Sequence, residues 1–107
     1  MSTLPEVNES DFDKEVLGTS IPTVVDFWAP WCKPCLALTP LLEETAKQFD
    51  GSVKVVKVNV DNNSALATRY GIRSIPSLVM FKNGVIFHQE VGLLNKSQLE
   101  AFFRNGL

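Results

Sequence analysis

The sequence has little cysteine, no long apolar run and no excess of basic charge, and each shortage excludes a class of protein. Two cysteines in 107 residues are too few for the disulfide framework of a small secreted domain. The apolar runs fall well short of the roughly 20 residues that span a membrane. Ten basic residues stand against twelve acidic ones, with no basic run that could follow a phosphate backbone. We therefore expect neither membrane insertion nor nucleic-acid binding.

The rest of the composition is that of an ordinary globular domain. Hydrophobic residues make up 45% of the chain and charged residues 21%, which is typical of folded proteins and not of disordered ones. A chain of this length fits one domain, and we expect residues 1–107 to form it. The first residues lack the basic and apolar regions of a secretory signal, so the sequence predicts no export.

The apolar pattern alternates between strand and helix periods along the chain. Apolar runs predict strands over 4–7, 21–28, 53–60, 77–81 and 85–91, with helices between or after them. Asn8 is predicted to cap the first helix, which Gly18 ends, and Asn83-Gly84 predicts a hairpin between the last two strands. The order β-α-β-α-β-α-β-β-α predicts an α/β fold. Its mixed sheet would be parallel at first, end in an antiparallel hairpin and carry helices on both faces.

The longest predicted helix covers 34–49. Its apolar stripe consists of Cys35, Leu38, Leu42, Ala46 and Phe49. Pro40 lies within this helix, removes one backbone hydrogen bond and should kink the axis. Near the C-terminus, Asn95 with Gln98 three residues later predicts a capping box at the start of the last helix.

Both cysteines lie in the segment Trp31-Cys32-Lys33-Pro34-Cys35, directly between a predicted buried strand and the longest helix. A C-x-x-C pair in this context is typical of thiol–disulfide chemistry. Cys32 would lie at the helix N-terminus, where unpaired N–H groups and the helix dipole stabilise the reactive thiolate. Cys35, one turn later, is within disulfide range, and Pro34 suits the first turn because its missing N–H is not needed there. The pair therefore predicts a redox-active dithiol.

Two other uses of the pair have to be weighed. A structural zinc site needs four Cys or His ligands, and the sequence offers only the two cysteines and His88. A stabilising disulfide would close a longer loop, because so short a loop removes only about 1–2 kcal/mol of chain entropy. We therefore predict no metal site, and we interpret His88 as an ordinary strand residue.

Two charged residues fall at apolar positions of the predicted strands. Asp26 shares the parity of Trp28, so we expect a buried carboxyl with a raised pKa; the alternative is an exposed Asp at a sheet edge. Lys57 shares the parity of Val53 and Val55 and could reach Asp26; the alternative is a lysine whose packed stem carries its ammonium to solvent. Trp28 is interpreted as core support beneath the cysteine motif.

Together these residues resemble the thioredoxin family, and the likeness runs without a gap from Glu6 to the C-terminal helix. It rests on Asp26, Phe27-Trp28-Ala29-Pro30-Trp31-Cys32, Pro34-Cys35, Pro40, Lys57, Asp61, Tyr70-Gly71, Ile75-Pro76, Phe81-Lys82-Asn83-Gly84 and Gly92. The chain departs from the family at Lys33 and Ser74, where Gly is common. The resemblance implies the thioredoxin fold, a central five-stranded mixed sheet flanked by four α-helices, and the reduction of protein disulfides.

The resemblance also implies a role for each part of the site. Cys32 would be the attacking nucleophile and Cys35 the resolving thiol. Asp26 would accept and donate the Cys35 proton through water, and Lys57 would tune Asp26. The motif would be supported by Trp28, Trp31, Lys33, Pro34 and Pro40. Substrate would bind an apolar rim of Trp31, Val60, Ile75, Pro76, Gly92 and Leu93. The resemblance implies a cis bond at Pro76, whereas the statistics of X–Pro bonds alone favour trans.

The implied partners are disulfide-containing target proteins and a thioredoxin reductase that draws on NADPH or ferredoxin. No bound cofactor is expected, because the electrons rest on the two sulfurs. We expect a monomer in the cytoplasm or, as a mature form, in an organelle stroma or matrix. Two other functions stay open: an oxidant or isomerase, which Lys33 keeps in consideration, and a binding module that docks through the same rim without redox turnover.

Overall fold

The computed structural model describes residues 3–107 as four strands and four helical segments around one sheet. The strands are β1 (Thr23–Trp28), β2 (Lys54–Asn59), β3 (Ser77–Lys82) and β4 (Val85–Val91). The α-helices are α1 (Lys33–Gln48), α2 (Ser64–Arg69) and α3 (Lys96–Arg104), and a short π-helix covers Asp13–Leu17. The α/β class and the element order after the first predicted strand are confirmed.

The sheet has four strands in the order β2-β1-β3-β4, not the five that were expected. β1 and β2 are parallel, whereas β3 runs antiparallel to both β1 and β4. The predicted strand over 4–7 is reduced to a single parallel bridge between Glu6 and Lys57. Two hydrogen bonds hold it, from Lys57 N–H to the Pro5 carbonyl and from Val7 N–H to the Lys57 carbonyl. Pro5 has no N–H to donate, so the ladder cannot extend towards the N-terminus.

The expected N-cap at Asn8 is wrong. The first helical segment begins at Asp13, after Phe12, and has no side-chain cap. The Asn8 backbone N–H donates to the Asp11 carboxylate at 2.8 Å, while the Asn8 side-chain oxygen accepts from the Asn63 amide at 3.0 Å. The Asn8 side chain therefore joins the N-terminal segment to the start of α2, because a tertiary partner competes with the local capping bond.

The sheet separates two apolar layers. On one face, α1 and α3 pack over β1 and β3 through a cluster that includes Val24, Leu38, Leu42, Leu78, Leu99 and Phe103. On the other face, the π-helix and α2 cover a second cluster that includes Phe12, Val25, Phe27, Val56, Leu66 and Phe81. Alternate residues of each strand supply the two layers, as the period of two requires. Asp26 and Lys57 belong by parity to the α1 face.

The predicted turn and cap signals near the C-terminus are confirmed. Asn83 and Gly84 both have positive φ, +53° and +80°, in the hairpin between β3 and β4, a conformation that Asn and Gly tolerate best. Asn95 and Gln98 form the reciprocal capping box of α3. β4 is an edge strand with exposed apolar side chains at Val85, Ile86, Phe87 and Val91. No helix within residues 3–107 has the length and apolar character to cross a membrane.

Candidate active site

The two cysteines lie where β1 passes into α1. Cys32 is the N-cap of α1, and Lys33 and Pro34 form the first turn. Cys32 and Cys35 are joined by a disulfide with a Cα–Cα distance of 5.2 Å, so the structure shows the oxidised form. The Cys35 backbone N–H donates to the Cys32 sulfur at 3.2 Å. This donor and the helix dipole will favour negative charge on the Cys32 sulfur after reduction.

The two sulfurs differ in access. Cys32 is 5% exposed, whereas Cys35 is completely buried. A thiolate has to approach a substrate disulfide directly for exchange to occur, so only Cys32 can meet a bulky partner. Cys35 can reach that partner only through Cys32.

The residues predicted to form the rim do surround Cys32 in part. Trp31 is 68% exposed and Leu93 is 51% exposed, and both are large apolar surfaces. The Cys32 sulfur lies 3.8 Å from the Ile75 carbonyl oxygen. The Ile75–Pro76 bond is cis, as the resemblance implied, and the Pro76 carbonyl accepts from the Gly92 N–H at 2.8 Å. Val60 packs with Ile75 against the small cluster around the cysteines.

Trp31 has a polar anchor that sequence reasoning missed. Its indole N–H donates to both oxygens of the Asp61 carboxylate at 3.1 Å. Asp61 lies just after β2, and its own backbone N–H donates to the Asn59 side chain at 2.9 Å. Asp61 was noted only as a position shared with the family. Nothing local in the sequence predicts its contact with Trp31, because the two residues are thirty positions apart.

Asp26 is a buried acidic residue of the site whose carboxylate lacks hydrogen-bond partners within residues 3–107. It is fully buried in β1, and neither carboxylate oxygen has a hydrogen-bond partner within residues 3–107. Burial raises its pKa from 3.8 to about 7, Lys57 opposes the rise and Glu6 adds to it. The expectation of a buried carboxyl is confirmed, and the alternative of an edge-exposed Asp is wrong. A carboxyl of this pKa can both accept and give up a proton near neutral pH.

Lys57 is nearly as buried as Asp26, with 2% of its surface exposed. The two residues are paired in the β1–β2 register, but no ion pair within 4.0 Å joins them. The Lys57 ammonium instead donates to the Thr39 hydroxyl at 3.2 Å and lies 4.0 Å from the centre of the Trp28 ring. Lys57 therefore acts on Asp26 through space, and the alternative of an ammonium that reaches solvent is wrong.

Glu6 and Thr39 are the other site residues that the sequence did not single out. Both line a pocket of about 510 Å³ together with Trp28, Lys57, Leu36 and Pro40. Burial raises the pKa of Glu6. A long interaction with the Trp28 indole N–H, beyond ordinary hydrogen-bond distance, opposes this rise in the Glu6 pKa. The positive charge of the Lys57 ammonium opposes it as well. The parallel register that aligns Glu6 with Lys57 depends on tertiary structure and leaves no local signal.

The remaining predicted residues lie at the edge of this arrangement. Lys33 is exposed on the first turn of α1, and Pro40 lies inside α1 on the pocket wall. His88 lies in β4, 3.3 Å from Glu90, and its ring contacts Phe102. Within residues 3–107, no three His, Cys, Asp or Glu side chains converge on a point that could hold a metal ion.

A disulfide at a helix N-terminus, with one sulfur more accessible than the other, is typical of one class of protein, the dithiol–disulfide oxidoreductases. A model of the thioredoxin family matches residues 3–105 of the chain. The chain is 47% identical over 102 residues to a thioredoxin of Haemophilus influenzae, with 95% of each chain covered. It is 50% identical over 99 residues to thioredoxin 1 of Synechococcus elongatus and 48% identical over 99 residues to thioredoxin 1 of a Nostoc species, with 92% of each chain covered.

The chain belongs to the thioredoxin family. It is a dithiol–disulfide oxidoreductase that carries electrons on its cysteine pair. Membership implies, in general terms, target proteins that contain disulfides and a reductase that returns the electrons.

Proposed function

We propose that the protein reduces disulfides in target proteins, with Cys32 as the nucleophile and Cys35 as the resolving thiol, and that a thioredoxin reductase recharges it. The difference in access between the two sulfurs supports this assignment most directly. Cys32 is 5% exposed and caps α1, whereas Cys35 has no exposed surface. Attack requires the accessible thiolate, and release requires a second thiol within reach of the first.

The reaction moves two electrons in two exchanges. The Cys32 thiolate attacks one sulfur of the target disulfide, the target S–S bond breaks, and a mixed disulfide forms while one target thiolate leaves and takes up a proton. Cys35 then loses its proton and attacks the Cys32 sulfur. The mixed disulfide breaks, the Cys32–Cys35 disulfide forms, and the second target thiolate leaves and is protonated.

Asp26 is the proposed proton acceptor for Cys35 in the second exchange and the donor in the reverse direction. It lies on the face of β1 that α1 covers, and α1 carries Cys35. Its pKa of about 7 matches proton transfer near neutral pH. Lys57 would tune Asp26 through its charge, which opposes the rise in that pKa.

The target would dock on the rim around Cys32. Trp31 and Leu93 supply exposed apolar surface, and the Ile75 backbone lies next to the Cys32 sulfur. The other proposed contacts are Val60, Pro76 and Gly92. The supports of the motif would be Trp28, Lys33, Pro34 and Pro40. Trp28 packs beside the cysteine cluster, and the Lys57 ammonium lies over its ring.

Residues 1–107 are proposed to act as a single domain, since one thioredoxin family model covers residues 3–105, and as a monomer. The cytoplasm is the proposed location, since a protein that delivers electrons needs a reducing compartment. The reductase would draw on NADPH or ferredoxin.

Two cysteine variants test the assignment. Cys32→Ser should abolish disulfide reduction, while Cys35→Ser should still attack and then accumulate as a stable mixed disulfide with the target. Mass spectrometry after incubation with a disulfide substrate would detect the adduct in Cys35→Ser only. Adducts through Cys35 in the Cys32→Ser protein would reverse the assignment.

The reduction potential separates the proposed reductant from an oxidant or isomerase. Thioredoxins that act as reductants have potentials of about −270 mV, whereas disulfide isomerases lie near −180 mV. Equilibration with glutathione gives the value. A potential of about −180 mV or higher would overturn the direction of electron flow proposed here and leave the exchange chemistry intact.

A further inference from the structure

Three charged side chains form a row across the sheet near the cysteines. Lys57 in β2 is in register with Asp26 in β1 and, through the isolated bridge, with Glu6 in the N-terminal segment. Both alignments are parallel, so all three side chains lie on the α1 face. Adjacent strands are about 4.8 Å apart, so Lys57 lies between the two acidic residues in the order of the strands.

The ammonium forms an ion pair with neither carboxyl. Lys57 donates to Thr39 and lies over the Trp28 ring, and no carboxylate of residues 3–107 lies within 4.0 Å of it. Asp26 is left buried without a partner. An unpaired buried carboxylate is costly, and the contacts with Thr39 and Trp28 alone leave open why the ammonium does not turn to it.

We propose that Glu6 is a positioning residue for the buried acid: it shares the Lys57 ammonium with Asp26 and so keeps Asp26 from forming a direct ion pair. The inference deepens the proposed function and rests on it, because a role for Asp26 as proton acceptor gives the sharing its use. An Asp26 that was paired with Lys57 would be too weak a base to take the Cys35 proton near neutral pH.

The pocket gives Glu6 its access to the row. Glu6 lines one wall of the 510 Å³ space beside Lys57, Trp28 and Thr39, and the residue is exposed. Its charge is therefore set at the surface and acts on the buried pair. Removing that charge frees Lys57 for Asp26 and removes a like charge at the same time, and both changes lower the pKa of Asp26.

The other charged groups that face this row come from two elements. On α1, Glu43 lines the same pocket and interacts with Lys57, but its carboxylate accepts from the Thr3 N–H and hydroxyl. On β4, His88 and Glu90 share the α1 face and pair with each other. The β3 residue opposite Asp26 is Leu78, which has no charge. Glu43 is therefore the matched control.

The experiment compares Glu6→Gln with Glu43→Gln, which makes the same change of charge in the same pocket. The pKa of Asp26 is read from its carboxyl ¹³C shift between pH 4 and pH 9, in the oxidised and in the reduced protein. The rate of target release from the mixed disulfide is measured over the same range. Glu6→Gln should lower the Asp26 pKa by about 0.3–0.6 units, the size of a partly screened charge interaction, and shift the acidic limb of the rate profile equally.

Glu43→Gln should change both quantities less than half as much as Glu6→Gln, because Thr3 binds the Glu43 carboxylate. Glu6→Asp, which keeps the charge, should show less than half of the Glu6→Gln shift. An unchanged Asp26 pKa in Glu6→Gln, or equal shifts in the two Gln variants, would overturn the inference. Asp26→Asn tests the proposed function separately. If that variant keeps the acidic limb, Asp26 is not the proton acceptor, whereas the carboxyl titration still decides whether Glu6 acts on it.

Discussion

The two faces of the sheet are built from the same strands but hold different chemistry. The face under the π-helix and α2 buries no charged side chain of residues 3–107, and Phe12, Tyr70 and Phe81 are in mutual ring contact there at 5.1–5.7 Å between centroids. The face under α1 has similar apolar packing at one end and a buried acid and a buried ammonium at the other. Only the second face lies beneath the cysteines.

The difference shows where this fold accepts a loss of stability. Burial of an unpaired carboxyl is unfavourable, and within residues 3–107 the face under the π-helix and α2 buries no carboxyl. The unfavourable group lies on the face that α1 covers, and α1 carries Cys35, the thiol whose proton Asp26 is proposed to accept. Stability and chemistry should therefore respond to substitution in opposite ways on the two faces.

The largest effect is expected from Phe81→Ala on the apolar face. It removes a buried ring and leaves a cavity, so the free energy of unfolding should fall by about 3–5 kcal/mol, equally at pH 5 and pH 8. The exchange rate of the folded protein should stay the same, because Phe81 pairs with Thr23 at the end of β1 far from the cysteines. Urea unfolding and a disulfide-reduction assay measure the two quantities.

Phe87→Ala, on the exposed side of β4, is the control for this comparison and should cost about 1 kcal/mol or less. A loss of exchange rate in folded Phe81→Ala protein would show that the two faces are coupled and would break the distinction.

An intermediate effect of opposite sign is expected from Asp26→Asn. The folded-state pKa of about 7 lies above the ordinary 3.8, so the contribution of Asp26 to wild-type stability is highest below about pH 4, declines as pH rises towards 7 and levels off above it. The variant lacks this decline. Its advantage in the free energy of unfolding should grow by about 2 kcal/mol between pH 5 and pH 8, while turnover at neutral pH falls about tenfold or more.

Asp50→Asn, at an exposed position after α1, should show neither change. A difference between Asp26→Asn and wild type that is the same at pH 5 and at pH 8 would contradict the buried-acid interpretation, whatever happens to turnover.

The smallest effect is expected at the surface of the same site, from Lys33→Gln. The ammonium favours the Cys32 thiolate, which exists only in the reduced form, so its loss should lower the reduction potential. At roughly 7 Å in water the interaction is about 0.6 kcal/mol, or about 10–15 mV for a two-electron couple. Equilibration with glutathione at low and moderate salt measures the shift, with Lys47→Gln near the far end of α1 as control. A shift well above about 30 mV, or one that salt does not reduce, would mean that Lys33 acts through structure.

The sequence predicted those parts of the fold and site that depend on local pattern. The cysteine pair at the start of a helix, the buried Asp26, the Asn83-Gly84 hairpin and the α3 capping box all follow from spacing and residue type, and the structure confirms their placement. The errors and omissions depend on register and on tertiary partners. The prediction of a strand over 4–7 is wrong because Pro5 ends the ladder on its N-terminal side. The Asn8 cap failed because Asn63 binds its side chain.

Glu6 shows the same limit within the site. The sequence shows that Glu6 and Val7 would point to opposite faces of a strand. The alignment of Glu6 with Lys57, however, is fixed only when the N-terminal segment meets β2. The Trp31–Asp61 hydrogen bond likewise requires the end of β2 to lie beside the cysteine loop. Contacts of this kind have no periodic signal, so the sequence could indicate the reacting atoms but not the groups that orient them.

The two edges of the sheet also differ, and this limits how copies of the protein can aggregate. β4 offers open backbone groups and apolar side chains, the features that invite a further strand. The opposite edge is partly covered by the short N-terminal segment, which pairs with β2 only at Lys57. Two molecules that met through β4 at high concentration would each lose their open β4 edge. Further association along the sheet would have to start at β2, and there the N-terminal segment would first have to detach.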